Sequence, residues 1–141
     1  MTSASFENLA KIGKLTSEQP AQAEIDSLTR SGRTRLKDAK NPSNDLESRF
    51  DLAYNAAHAL ALAALRHHGY RAENRYLVFQ LLPHTLGIAD AQWRVLATCH
   101  DRRNKYEYEG MLNVDEGLLA EAISVTEQLV SALEKLGPVK S

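Results

Sequence analysis

The sequence contains only one cysteine, Cys99, among its 141 residues. A single thiol permits neither an internal disulfide nor a cysteine-based zinc site, and such scarcity is typical of proteins from reducing compartments. Residues 1–7 also lack the cationic and apolar stretches of a secretory leader. We therefore expect a cytoplasmic protein, long enough to fold around its own core without covalent links or a metal ion.

Long hydrophobic runs and an excess of one charge are also missing. The longest unbroken apolar run, residues 59–65, is far shorter than the roughly 20 residues that a membrane-spanning helix requires. Lysine plus arginine number 17 and aspartate plus glutamate 18, which gives a formal net charge of −1. This balance excludes a wholly basic surface of the kind that coats DNA. We expect no membrane association, and any contact with nucleic acid must be local.

Glycine and proline are few, at seven and four residues, and the apolar side chains recur at helical spacing. The clearest pattern lies in residues 45–66, where steps of three and four define two apolar stripes. The first stripe contains Leu46, Phe50, Ala53, Ala57, Leu60 and Ala64, and the second contains Leu52, Ala56, Ala59 and Ala63. A helix that is apolar on two sides is expected at the centre of a bundle. Its start is indicated by Asn44 and Glu47, which have the spacing of a capping box.

Apolar spacing and end signals predict further helices on both sides of this central one. They cover residues 6–15, 21–39 (a weaker stripe interrupted by Gly32), 74–82 (disturbed by Pro83), 91–109 (with Asp90 as N-cap) and 118–136. Short links between four long helices are typical of an up-and-down four-helix bundle, here with an additional short helix. We therefore predict an all-α fold with a single helical domain over residues 1–141, in which residues 1–20 form a peripheral N-terminal helix.

The sequence lacks the motifs that carry most enzyme chemistry. It has no glycine-rich phosphate loop, no His-Glu-x-x-His zinc helix and no Gly-x-Ser-x-Gly elbow. Most enzyme classes are therefore unsupported, and we expect neither a cofactor nor a metal site.

A polar line crosses the otherwise apolar central helix. Asp51, Asn55 and His58 follow one another at steps of four and three residues, so they share one face. Two interpretations remain open: a buried polar network that fixes the helix register, or one side of a functional groove.

The richest polar segment is residues 100–108 of the fourth long helix, where cationic, amide and phenol side chains follow one another closely. Its candidate ligand-binding residues are His100, Arg102, Arg103, Asn104, Lys105 and Tyr108. His100, Arg103 and Glu107 lie along one line of the helix. An arginine fork is suited to phosphate oxygens, and tyrosines stack on bases. The alternative is a surface pair between Arg103 and Glu107, worth about 0.3–0.5 kcal/mol, with the tyrosines half-buried against the last helix.

Two motifs in this chain resemble those of the HEPN superfamily of small helical bundles, and the resemblance extends over residues 21–136. Residues 54–60, Tyr-Asn-Ala-Ala-His-Ala-Leu, followed by Gly69, are similar to the tyrosine, histidine-alanine and glycine pattern on the second bundle helix of one HEPN branch. Residues 103–108, Arg-Asn-Lys-Tyr-Glu-Tyr, resemble the superfamily's arginine and polar residue with a histidine or acidic-tyrosine ending. The resemblance implies a HEPN-like bundle.

In HEPN ribonucleases, an arginine, a polar residue and a later histidine from each of two subunits meet across a homodimer and cleave RNA without a metal. Arg103 and Asn104 match the first half of this motif, whereas Tyr108 occupies the place of the histidine. A tyrosine with its ordinary pKa near 10 is a poor general base at neutral pH. His100, one turn before Arg103, is the candidate for a substitute base.

The residues and the resemblance together predict a dimeric HEPN-like binding module with a degenerate catalytic motif. Its ligand would be RNA, a nucleotide or a partner protein such as a nucleotidyltransferase, in a toxin–antitoxin or defence pair. The second apolar stripe of the central helix favours a homodimer if it is exposed in a monomer. Two alternatives stay open: a metal-independent endoribonuclease that uses His100 as a displaced base, and a plain helical dimerisation scaffold. We further expect Arg103, His58 and Tyr108 to approach one polar cleft.

Overall fold

The computed structural model describes residues 3–110 and 114–139, and most of them lie in helices. The helices are α1 (Ser3–Lys11), α2 (Gln22–Ala39), α3 (Leu46–His67), α4 (Arg75–Gln80), α5 (Leu82–Thr85), α6 (Asp90–Glu109) and α7 (Glu116–Glu134). Two short strands, β1 (Thr16–Ser17) and β2 (Tyr70–Arg71), pair antiparallel, with Thr16 opposite Arg71. The predicted all-α class is confirmed for this part of the chain, and the two-stranded sheet is an addition that no sequence pattern indicates.

Helix α3 is the central element, because α2, α7 and the shorter α4 and α5 all pack against it. Its alanines at positions 53, 56, 57, 63 and 64 are completely buried, and their small side chains allow neighbouring helices to come close. At Gly32 of α2, an added Cβ atom would lie 2.6 Å from the Cγ atom of Leu60. Gly32 is therefore a point of close contact between α2 and α3 rather than an interruption of the α2 stripe.

The second apolar stripe of α3 is covered by the chain itself. Ala56, Ala59 and Ala63 are buried, and Leu52 is partly buried against the core. The second stripe would favour a dimer only if it were exposed in a monomer, and this condition is not met, because α2 covers the stripe where Gly32 lies next to Ala56. This face therefore provides no argument for a dimer.

The helix starts differ in detail from those that the sequence indicates. The N-cap of α3 is Asp45, whose side chain accepts a hydrogen bond from the Ser48 amide at 3.0 Å, whereas Asn44 donates to a carbonyl of α2. The hydrogen bonds with Ser48 lower the pKa of the Asp45 carboxyl. Asp90 is the first residue of α6, and its carboxylate accepts a hydrogen bond from the Trp93 indole at 3.1 Å. Both predicted caps are therefore wrong by one residue, because the side chains concerned have other partners.

The shorter helices also depart from the predicted boundaries. Pro83 lies in the first turn of the separate helix α5, so the predicted helix 74–82 is divided between α4 and α5. α1 ends at Lys11, earlier than predicted, and the chain continues into β1. Phe6 of α1 is buried and stacks on the rings of His68 and Tyr70, with 5.7 Å and 5.2 Å between ring centroids. One aromatic side chain thus holds α1 against the end of α3.

A buried arginine joins the segment after β1 to the end of α3. Arg66 is fully enclosed, and its Nε donates to a carboxylate oxygen of Glu24 at 2.7 Å. Its Nη1 donates to the carbonyl oxygens of Glu18 and Tyr70 at 2.9 Å and 3.3 Å, and its Nη2 donates to that of Gln19 at 2.8 Å. A carboxylate oxygen of Glu18 also lies 3.2 Å from Nη2. The guanidinium group thus makes four hydrogen bonds and an additional ion pair.

Arg71 of β2 contacts the same two carboxylates from the other side. Its Nη2 lies 2.8 Å from Glu18 Oε2 and 2.6 Å from Glu24 Oε2. Hydrogen bonds from Arg71 are the main reason that the pKa values of the Glu18 and Glu24 carboxyls are lowered. Glu18, Glu24, Arg66 and Arg71 form one arginine–glutamate network that closes the C-terminal end of α3.

We predict that Arg66→Met lowers the free energy of unfolding by about 3 kcal/mol, because the carbonyl oxygens of Glu18 and Gln19 and the Glu24 carboxylate lose their buried donor. The matched control is Arg71→Met, which removes an arginine whose side chain is 33% exposed and should cost about 1 kcal/mol or less. The measurement is urea denaturation at neutral pH. Equal decreases in the free energy of unfolding of the two variants would contradict the prediction that the buried Arg66 contributes more than Arg71.

Candidate functional site

Three helices meet at the N-terminal half of α3 and bring polar side chains together there. The residues involved are Asp51, Tyr54 and Asn55 of α3, Arg75 of α4, and His100, Arg103 and Asn104 of α6. We call this group the Tyr54 cluster. It forms because α4 packs against both α3 and α6, so the polar line of α3 faces side chains from two other helices.

Tyr54 is the centre of the cluster. It is only 3% exposed, and its ring meets the ring of Phe79 edge-on, with 5.8 Å between centroids. The guanidinium carbons of Arg75 and Arg103 lie 5.6 Å and 5.4 Å from the centre of the Tyr54 ring. Both distances lie within the range in which a cation is attracted to an aromatic face. Burial raises the pKa of the Tyr54 hydroxyl, which is therefore protonated at neutral pH.

The two arginines differ in their polar partners. Arg103 Nη1 donates to a carboxylate oxygen of Asp51, while Arg75 Nη1 donates to the amide oxygen of Asn55 at 3.2 Å. The Asn55 amide in turn donates to the main-chain carbonyl of Asp51 at 2.9 Å. Among the described side chains of the cluster, one carboxylate thus accompanies two guanidinium groups, which gives these three groups a net positive charge.

His100 forms hydrogen bonds at both ring nitrogens. Its Nδ1 lies 3.0 Å from the Tyr54 hydroxyl, and its Nε2 lies 3.1 Å from the side-chain nitrogen of Asn104. With the Asn104 amide in this orientation, the amide donates, so Nε2 has the lone pair and Nδ1 has the proton. Nδ1 then donates to the Tyr54 oxygen, which fixes the tautomer and the direction of the imidazole ring.

His58 lies beside the cluster, one turn of α3 beyond Tyr54. Its ring packs edge-on against Phe79, with 6.0 Å between centroids. Burial is the main reason that the pKa of His58 falls to about 4, and the positive charge of Arg75 lowers it further. The His58 imidazole is therefore neutral at physiological pH. His58 is the last residue of the polar line on α3, and it lies beside the Tyr54 cluster.

Two of the predicted ligand-binding residues lie elsewhere on α6. Arg102 lines a cleft between α6 and α7 together with Asp115 and Glu121, on a different side of α6 from Arg103. Lys105 is exposed to solvent. The cationic segment of α6 therefore divides between two faces of the helix, and only part of it belongs to the Tyr54 cluster.

Tyr108 and Glu107 belong to α6 by their backbone, but their side chains lie outside the described part of the structure. The predicted surface pair between Arg103 and Glu107 lies outside it as well, and the described partner of Arg103 is Asp51. The expectation that Arg103, His58 and Tyr108 approach one cleft stays a prediction.

The sequence patterns did not single out Tyr54 or Arg75 as site residues. For Tyr54 a signal exists, because it lies between Asp51 and Asn55 on the same helix and begins the motif of residues 54–60. Arg75 has no comparable signal, since its position depends on how the short helix α4 crosses α3. Contacts between helices thus complete a site of which one helix shows only a part.

No protein-family model matches this chain, and no curated protein matches it. Within residues 3–110 and 114–139, no group of three or more histidine, cysteine, aspartate or glutamate side chains is arranged so that it could hold a metal ion. None of the helices in these residues combines the length and the apolar character that crossing a bilayer demands. The interpretation of the Tyr54 cluster therefore rests on its geometry and on the resemblance in its motifs.

We predict that His58 titrates with a midpoint near pH 4, because its charged form would be desolvated and would face Arg75. Since the unfolded chain takes up this proton near pH 6.5, the free energy of unfolding should fall as the pH decreases from about 6.5 to about 4. In His58→Gln the fall should be smaller. NMR titration of the imidazole and urea denaturation at both ends of this range are the measurements, and a His58 midpoint near 6.5 would refute the prediction.

Proposed function

We propose that this chain is a HEPN-like binding module that holds RNA or a nucleotide through its phosphate groups at the Tyr54 cluster. In this proposal α2, α3, α6 and α7 form an up-and-down four-helix bundle, and the catalytic motif is degenerate. The observation that carries the proposal is the convergence of Arg75 and Arg103, from two different helices, on the ring of one buried tyrosine.

The charge of the cluster supports a phosphate ligand. Asp51 pairs with Arg103, whereas the amide of Asn55, to which Arg75 donates, is neutral. Both arginines are partly exposed, so a ligand can reach their remaining N–H donors. Guanidinium groups present these donors in a planar fork that matches two phosphate oxygens at once.

Binding and cleavage have different requirements, and the residues present support binding better. Cleavage of an RNA strand needs a group that takes the proton from the ribose 2′-hydroxyl, which typically contributes about 10²–10⁴ in rate. Tyr108 stands where the resemblance would place a histidine, and a phenol of ordinary pKa near 10 provides little base at neutral pH. We therefore expect little or no cleavage.

A metal-independent endoribonuclease is the second candidate, and the geometry of His100 favours it. The Tyr54 hydroxyl orients the imidazole through Nδ1, which leaves the lone pair on Nε2. The amide that contacts Nε2 belongs to Asn104, an exposed residue, and a ribose hydroxyl can displace it. In this alternative His100 is the general base, one helical turn from Arg103.

The resemblance adds partners to the proposal, and the single cysteine adds a compartment. The partners are a second copy of the chain and a nucleotidyltransferase encoded beside it, in a toxin–antitoxin or defence pair. The compartment is the cytoplasm, in keeping with Cys99, a free buried thiol whose pKa is raised by burial to about 12. A nucleotidyltransferase gene next to this one would support the pair, and its absence would favour a binding module that acts alone.

We predict a homodimer in solution. This prediction rests on the resemblance alone, because the second apolar stripe of α3 is buried within the chain and gives it no support. Light scattering at micromolar concentration should give twice the chain mass of 15.7 kDa. A mass of one chain would remove the dimer and any groove shared between subunits. The Tyr54 cluster would be unaffected, since all its members belong to one chain.

We predict that Arg103→Ala weakens the binding of a labelled single-stranded oligoribonucleotide by about tenfold or more, because a hydrogen bond to a charged group is worth roughly 1.5–3 kcal/mol. Arg102→Ala is the matched control: it removes the same charge from the adjacent position but faces the α6–α7 cleft. It should change the affinity by less than about threefold, and binding should weaken steeply as salt rises. Equal effects of the two substitutions would place the RNA away from the Tyr54 cluster.

Incubation of the same RNA with the protein and a chelator separates the three functions. Salt-sensitive binding without cleavage supports the binding module. Cleavage that is abolished by His100→Ala but retained in Tyr108→Phe establishes the ribonuclease with a displaced base. If neither binding nor cleavage is found, the plain helical scaffold becomes the best account.

A further inference from the structure

A cleft of about 720 Å³ lies between the end of α1 and the start of α4. The side chains that line it include Ile12, Lys14, Tyr76, Leu77 and Gln80. Its volume is within the roughly 300–1,000 Å³ that is usual for small-molecule sites, and its walls combine apolar and hydrogen-bonding groups. Ile12 is 67% exposed and Tyr76 is 37% exposed, so the cleft presents apolar surface to solvent.

Tyr76 belongs both to this cleft and to the surroundings of the Tyr54 cluster. Its ring meets the ring of His100 at 5.8 Å and that of Trp93 at 6.0 Å between centroids, so two neighbours hold it in place. Arg75 directly precedes it, and successive side chains of a helix point about 100° apart. α4 therefore directs a guanidinium group to Tyr54 and, beside it, an aromatic ring to the cleft.

We propose that the cleft takes the base and sugar of a nucleotide unit whose phosphate lies on Arg75 and Arg103. This inference rests on the proposed function and extends it to the part of the ligand that is not phosphate. A partly exposed aromatic ring stacks on a base of any identity. Lys14 offers donors, and Gln80 offers both donors and an acceptor, for base edges and ribose hydroxyls.

A second basic cleft, of about 390 Å³ between α2 and α7, fits a nucleotide less well. Two of its cations, Arg33 and Lys40, are paired with Glu134 and Glu127 of α7. None of the described side chains that line it is aromatic. Of these two clefts, the one beside Tyr76 combines a stacking surface with nearby guanidinium groups.

The test compares three ligands: a single-stranded oligouridylate, an abasic ribose-phosphate chain of the same length, and uridine monophosphate. The oligouridylate should bind about tenfold more tightly than the abasic chain, because the stacking of even one base contributes about that much. Uridine monophosphate binding that depends on Tyr76 assigns the cleft to free nucleotides as well as to strands. Oligouridylate binding without uridine monophosphate binding assigns it to RNA strands.

Four variants test which side chains produce the preference for bases. Tyr76→Ala should remove it and Tyr76→Phe should retain it, because the ring, not the hydroxyl, stacks on a base. Tyr106→Ala is the matched comparison, since Tyr106 is 42% exposed but is not among the residues that line the cleft. Ile12→Ala, at a position exposed enough to keep the fold, should reduce the preference by about two- to threefold.

Equal affinity for the oligouridylate and the abasic chain, with binding still lost in Arg103→Ala, would overturn the inference and leave the proposed function standing. A preference that disappears in Tyr106→Ala and persists in Tyr76→Ala would overturn it as well. If neither the oligouridylate nor the abasic chain binds, the proposed phosphate site is refuted, and the inference about the base cleft is refuted with it.

Discussion

The rest of this structure depends on the buried hydrogen bonds that the guanidinium group of Arg66 donates. Removal of a charge from water costs several kcal/mol, and this cost is offset only when each donor finds an acceptor in good geometry. The acceptors come from the segment after β1, from α2 and from β2, which are separated along the chain. No single segment satisfies the charge, so they must assemble together. A lysine could not replace Arg66, because its three donors leave one nitrogen atom and cannot match the planar fork.

The network around Arg66 also limits the position of α4, and through α4 it affects the Tyr54 cluster. Gly69 follows α3 with a φ of 89°, which turns the backbone into β2, and Arg71 of β2 shares its two carboxylates with Arg66. Residues 72–74 alone separate β2 from α4, so an anchored β2 limits where α4 can begin. Arg75 therefore reaches Tyr54 partly because of an ion-pair network at the opposite end of α3.

The features that the sequence predicts well are those with one local cause. Apolar spacing locates α3, and the same periodicity places Asp51 and Asn55 together on the face that enters the cluster. Helix caps such as Asp45 depend on which of two adjacent polar side chains has a partner elsewhere, and strands of two residues are too short to show a pattern. The positions of Arg66 and Arg75 depend on contacts between segments that are distant in sequence. No local pattern contains that information, which is why the fold class was predictable and the place of Arg75 in the cluster was not.

The Asp51 carboxylate pairs with Arg103 within the same chain, so it competes with any external anion for that guanidinium group. A tethered group acts at an effective concentration set by geometry, in the millimolar range for short flexible connections, and dilution of the protein does not lower it. An incoming anion competes with this carboxylate for the Arg103 guanidinium. A chloride ion gains little from the exchange, whereas a phosphate brings more charge and more acceptor atoms. For the proposed phosphate site, the Asp51 carboxylate therefore predicts a preference for polyvalent anions over simple salt anions.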